Sequence, residues 1–128
     1  MITATRYFTP EEARKTLPLV RKIVDDIINT SREIRLLTED KDGMVESDPD
    51  VKKMASDLNG FMAELEEVGC YYKDWNFSIG LVDFPAIIDG KEVFLCWRSD
   101  EDDIRFYHEI EKGYAGRKLI PEKYLNQN

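Results

Sequence analysis

Asp83, Cys96 and Arg98 are the residues of this chain whose types and placing come nearest to a chemical site. Asp89-Gly90 separates two β-rich runs, and a two-residue turn there sets Asp83 opposite Cys96 and Leu81 opposite Arg98. Asp83 and Arg98 are then diagonal neighbours, close enough for a long side chain to reach across. A carboxylate beside a guanidinium stays ionised, and Arg98 can hold an oxyanion through paired donors. A thiolate at Cys96 near that charge would be a stronger nucleophile than a free cysteine. The plainer expectation is a cross-strand Asp83–Arg98 ion pair with Cys96 as a small filler.

His108-Glu109 is the second candidate, since a lone histidine can serve as a general base or as one metal ligand. Adjacent strand residues point to opposite faces, so His108 and Glu109 cannot both serve one site there. No Cys or His pairs stand at ligand spacing, and no metal or cofactor is expected. Gly113-Tyr114-Ala115-Gly116-Arg117 forms a turn that can present Arg117 to Asp83, Glu109, a carbonyl or an anion. It lacks the strand-to-helix setting of a phosphate-binding glycine loop. Trp97, Arg98, Tyr114 and Arg117 are the candidate ligand-binding residues, and Asp83, Cys96, His108 and Glu109 the candidate catalytic ones. The acidic run from Asp100 to Asp103 lacks calcium-loop spacing and reads as a solvated turn.

The elements that must place these groups fall into a helical half, about 9–69, and a β-rich half, about 70–120, with a peripheral tail at 121–128. Thr9 can cap a helix, Pro10 fits its first position, and Glu12 stands where a capping box needs a carboxylate. Ala13, Leu17, Val20, Val24, Ile27 and Ile34 follow helical spacing with Ser31 in one slot, and Pro18 is expected to kink or divide the helix near Leu17. Residues 41–49 read as a loop. A second helix starts near Ser47 or Asp48, runs through Val51, Met54, Leu58, Phe61, Leu65 and Val68, and stops at Gly69. The hairpin register pairs Val82 with Trp97, Phe84 with Leu95, Ala86 with Val93 and Ile88 with Lys91 on an apolar face turned to the helices. The opposite face pairs Asp83 with Cys96, Pro85 with Phe94 and Ile87 with Glu92. Residues 104–108 are expected to return as a third strand, with Ile104, Phe106 and Ile110 on the apolar face and His108 near its edge. A helix from Ser99 competes for that stretch. Short strands are also expected at 2–8 and at 70–73.

A chain of 128 residues fits one domain. Its 18 Lys and Arg against 26 Asp and Glu give a net charge of −8, which argues against binding nucleic acid backbones. The two cysteines form no disulfide framework, no apolar run is long enough for a membrane span, and a cytoplasmic location is expected.

Together Phe8-Thr9-Pro10-Glu11-Glu12-Ala13, Leu17-Pro18, Gly80-Leu81-Val82-Asp83-Phe84-Pro85, Asp89-Gly90, Leu95-Cys96-Trp97-Arg98, His108-Glu109 and Gly113–Arg117 resemble a bacterial family, domain of unknown function 2203. The resemblance covers nearly the whole chain and implies a small stand-alone protein, with no established activity, cofactor or catalytic residue. Asp100-Glu101-Asp102 departs from the family's Gly-Glu-Pro-like turn, and Tyr107 stands where a Trp is usual.

The expected fold is α+β, a long antiparallel helical hairpin packed on a small antiparallel sheet. Two amphipathic helices leave apolar stripe to cover, so a homodimer through the helices is expected, with the Trp97-Arg98 edge open to a protein partner. The leading functional expectation is a non-enzymatic interaction module. The rival is a small enzyme or anion binder using Asp83, Cys96, Arg98, His108 and Arg117, which requires those side chains to converge on one concavity.

Overall fold

The computed structural model describes residues 6–40, 48–74 and 79–125. Its first helix, α1, spans Pro10–Asp40. The capping box is made in full: the Thr9 N–H donates to Glu12 Oε1 at 2.9 Å and the Glu12 N–H to Thr9 Oγ1 at 3.1 Å. Of the two effects expected of Pro18, a kink or a division, division does not occur: α1 runs through it unbroken. Pro18 lies on the exposed side of the helix. Ala13, Leu17, Val20, Ile23, Val24 and Ile27 form the buried stripe, and Ser31 satisfies its hydroxyl on the Ile28 carbonyl.

The second helix, α2, spans Pro49–Val68. Asp48 caps it by accepting from the N–H groups of Asp50 and Val51, and Gly69 ends it in the left-handed region at φ 110°. Of the loop expected at 41–49, residues 41–47 lie outside the described residues, while Asp48 and Pro49 are the cap and first residue of α2.

Five antiparallel strands follow, neighbours in sequence also being neighbours in the sheet. They are β1 (Tyr71–Tyr72), β2 (Leu81–Ile88), β3 (Lys91–Arg98), β4 (Phe106–Glu109) and β5 (Lys118–Leu119). The fold is α+β. The β2–β3 hairpin has the register that the two-residue turn dictates at every pair from Leu81↔Arg98 to Ile88↔Lys91. Asp89 and Gly90 both adopt positive φ, 52° and 77°, the twist a two-residue hairpin needs. Tyr124, on the short helix α3 (Glu122–Leu125), donates to Asp89 Oδ1 at 2.8 Å and accepts from the Asp89 N–H at 2.9 Å. Of the strand expected at 2–8, residues 1–5 lie outside the described set. Phe8 is in no strand, but its N–H donates to the Pro85 carbonyl at 2.7 Å.

Val82, Phe84, Ala86, Leu95 and Trp97 face the helices and share one core with α1, Leu65 of α2 and Phe8. Gly80 marks where β2 enters that layer. Its φ is +82°, and a Cβ there would stand 2.6 Å from Val24 Cγ1, so the chain passes α1 too closely for any side chain. The Asp74 carboxylate holds this entry by accepting from the Ile79 and Gly80 N–H groups.

β4 corrects the expected register. Phe94 pairs with His108 and Cys96 with Phe106, while Leu95 pairs with Tyr107. Phe106 and His108 therefore lie on the face away from the helices, and Tyr107 takes the helix side. The strand starts only at Phe106, so Ile104 reaches the core from an irregular segment, fully buried, and does not share the strand's alternation.

The acidic turn before β4 is solvated at Asp100 and Asp102, as expected, but Glu101 and Asp103 are drawn into the structure. The Glu101 carbonyl accepts from Trp97 Nε1 at 2.9 Å and from Arg21 Nη2 at 3.3 Å. Its carboxylate accepts from the Arg98 N–H at 2.7 Å and Arg117 Nη2 at 2.6 Å. Asp103 pairs with Arg14 of α1 at 3.0 Å. Among the described residues no helix is long and apolar enough to cross a membrane.

Candidate functional site

Alternation along three adjacent strands puts Asp83 of β2, Cys96 of β3 and His108 of β4 on the sheet face turned away from the helices. Solvent-facing sheet surface should be polar and accessible, yet the three are 5%, 1% and 3% exposed. They form the floor of a pocket of about 270 Å³, whose wall includes Lys73, Leu81, Phe94, Ile110, Gly113 and Tyr114. Sγ of Cys96, one ring nitrogen of His108 and one carboxylate oxygen of Asp83 lie within 4.8 Å of one another.

His108 Nε2 is 3.1 Å from each Asp83 oxygen, and Nδ1 is 2.9 Å from the Glu109 carbonyl oxygen. A carbonyl oxygen can only accept, so Nδ1 carries a proton. An ionised Asp83 can only accept as well, so Nε2 also carries one. The ring is thus an imidazolium held between two acceptors. Burial works against that charge, but Asp83, Cys96 and the Glu109 carbonyl outweigh it and raise the His108 pKa to about 10. The Phe94 ring leans on the imidazole, with centroids 5.6 Å apart.

The other expected site residues divide. Arg98 does not bridge to Asp83. It donates from Nε and Nη2 to Asp100, at 2.6 and 2.8 Å, and from Nη1 to the Tyr114 hydroxyl. Two residues along the same strand end gave the guanidinium a nearer carboxylate than the one across the ladder. Arg117 meets the Cys96 carbonyl at 3.0 Å and Glu101 at 2.6 Å, with its guanidinium 4.1 Å from the Phe106 ring centre. It braces the strand that carries Cys96 and does not enter the pocket. The Glu109 carboxylate turns to Lys91 at 3.0 Å, and only its main chain serves the site. Trp97 is withdrawn from any ligand or partner surface, being wholly buried on the helix side. Tyr114 is 42% exposed and lines the pocket.

Lys73 and Phe94 escaped the sequence reading. Lys73 Nζ lies 5.6 Å from the centre of the Phe94 ring, at the pocket wall. The signal for Phe94 was present: a large aromatic on the outward face of a hairpin is unusual unless something covers it. Cys70, the other thiol, is buried apart from the pocket, donates to the Leu65 carbonyl, and has its pKa pushed up to about 12 by burial.

Residues 6–120 match the family described as an uncharacterized conserved protein (DUF2203). No curated protein and no solved structure matches the chain.

Proposed function

The chain belongs to the DUF2203 family, and we propose that it binds a small molecule bearing a carboxylate or phosphate group in the pocket on the outer face of the sheet. The observation that carries this reading is the convergence of Asp83, Cys96 and His108 at a buried floor beneath apolar walls and one lysine. Small-molecule sites combine these parts: mostly apolar lining with a few placed polar groups. Lys73 and the His108 imidazolium against the Asp83 carboxylate leave the pocket one net positive charge, inside a chain whose net charge is −8. An anionic head is the complement of that charge, and Phe94 and Tyr114 suit an apolar or planar remainder.

The reading is binding without catalysis. Both nitrogens of the only histidine are protonated and engaged, so the ring has no lone pair with which to take a proton from a substrate. A thermal-shift and NMR screen of organic acids and phosphomonoesters tests it. A ligand is expected whose affinity falls about tenfold or more in Lys73→Glu, in keeping with the loss of a charge-assisted hydrogen bond. Hits indifferent to Lys73→Glu and Tyr114→Ala would contradict the pocket.

A second reading is self-association through the helical hairpin, an interaction module in its own right. It is favoured by α2, on which Leu65 is the one fully buried residue. Val51, Met54, Leu58 and Phe61 stay half-buried at helical spacing, and a second hairpin laid against them would complete a four-helix bundle. Light scattering after size exclusion is expected to return twice the chain mass. A strictly monomeric mass sinks this reading and leaves the pocket untouched.

A further inference from the structure

We infer that the pocket floor is a binding site for a transition-metal ion of the zinc type, held by Asp83, Cys96 and His108. The inference rests on the same pocket, but it names an inorganic ligand and stands or falls on its own measurement. Three donors of three chemistries, thiol sulfur, imidazole nitrogen and carboxylate oxygen, lie within 4.8 Å of one another with no more than 5% exposure on any residue. Ligand atoms around tetrahedral zinc stand roughly 3.3–3.7 Å apart, as bonds of about 2.0–2.3 Å require. The His108–Asp83 separations of 3.1 Å are already that short, so small side-chain rotations complete the set.

The orientation of His108 points the same way. Nδ1 donates to the Glu109 carbonyl, which fixes the ring and aims Nε2 at the carboxylate. Metal-bound histidines characteristically carry such a partner on the far nitrogen. Sulfur and nitrogen donors favour zinc, cobalt or nickel and disfavour magnesium and calcium. Three protein ligands leave a fourth position, and all three line the pocket, so that position opens where a small anion would enter. On binding, the metal takes the place of the Nε2 proton and the thiol proton, which go to solvent, and nothing changes oxidation state.

Cobalt(II) alone, titrated into the untagged, metal-free full chain, tests this. One equivalent is expected to bind, with a thiolate-to-cobalt charge-transfer band and the intense visible bands of tetrahedral cobalt; zinc should displace both. Cys96→Ser is expected to abolish the charge-transfer band and weaken binding more than about 100-fold, beyond the 10–100-fold that outer partners of a metal ligand are worth. Cys70→Ser should leave the spectrum unchanged, and His108→Gln should lose tetrahedral intensity while keeping folded-state circular dichroism. Absence of the band in the native chain, or its survival in Cys96→Ser, overturns the metal site. Metal binding without any anion hit condemns the small-molecule reading alone, and an anion hit without metal binding condemns the metal site alone.

Discussion

Replacing Asp83 with Asn should bring the His108 pKa from about 10 to below its ordinary 6.5 and destabilise the fold by about 3–5 kcal/mol. Asn keeps the shape but removes the negative charge, so the buried ring loses the largest influence favouring its protonated form and burial decides the outcome. The pH dependence then changes sign. In the native chain the folded pKa lies above the unfolded value of 6.5, so the pair's stabilisation is complete below 6.5 and is lost as pH rises through about 10. In Asp83→Asn the folded value lies below the unfolded one, and stability instead rises as pH climbs through the region of 6.5. Urea unfolding at several pH values, with NMR of the single histidine, checks both. An Asp83→Asn chain whose stability still declines towards pH 10 would show that the carboxylate is not what holds the proton.

Trp97→Ala carries the other large effect, about 3–5 kcal/mol. The indole is fully buried, and its Nε1–H donates to the Glu101 carbonyl at 2.9 Å. Arg21 of α1 lies over its ring, with the guanidinium carbon 5.1 Å from the centre. One side chain therefore joins helix, sheet and acidic turn. Because the Glu101 carboxylate also receives Arg117, which braces the Cys96 carbonyl, the loss should reach the site. Denaturant unfolding should register the loss, with a shifted His108 resonance in the native baseline. Trp97→Phe, which fills most of the volume but removes the shorter of the two hydrogen bonds to the Glu101 carbonyl, should cost roughly 1–2 kcal/mol. Equal losses in both variants would mean that the hydrogen bond, not packing, dominates.

Local rules made much of the fold legible. Thr9 and Glu12 announce α1, Asp48 and Gly69 bracket α2, and Asp89-Gly90 sets the register of β2 on β3, because each acts through neighbours in sequence. Pro18 leaves α1 undivided, because the packing on either side of it, which its own neighbours in sequence do not reveal, keeps the helix continuous. The alternation of β4 was misread because Ile104 was counted into a strand that begins two residues later. That slip moved His108 to the wrong face and separated it from Asp83.

The site was half legible for the same reason. Asp83 and Cys96 are joined by a hairpin whose turn sets the pairing, so their meeting follows from the sequence. His108 joins them through a longer, irregular connection whose length no turn rule specifies. Polar groups spaced about a dozen residues apart on separate strands also escape any search for paired Cys and His motifs. Arg98 was assigned to Asp83 by ladder geometry, but Asp100 lies closer along its own chain. Lys73 follows β1, and no feature of its own sequence neighbourhood says which pocket it borders.

Long-range proton–nitrogen NMR of the native, metal-free chain tests the arrangement most directly, since there is only one histidine to observe. At a pH between 6.5 and about 10 both ring nitrogens should report as protonated, with a midpoint near the upper value. A neutral ring with a single protonated nitrogen over that range, titrating at 6.5 or lower, would contradict the Asp83–His108 pair and the pocket built on it.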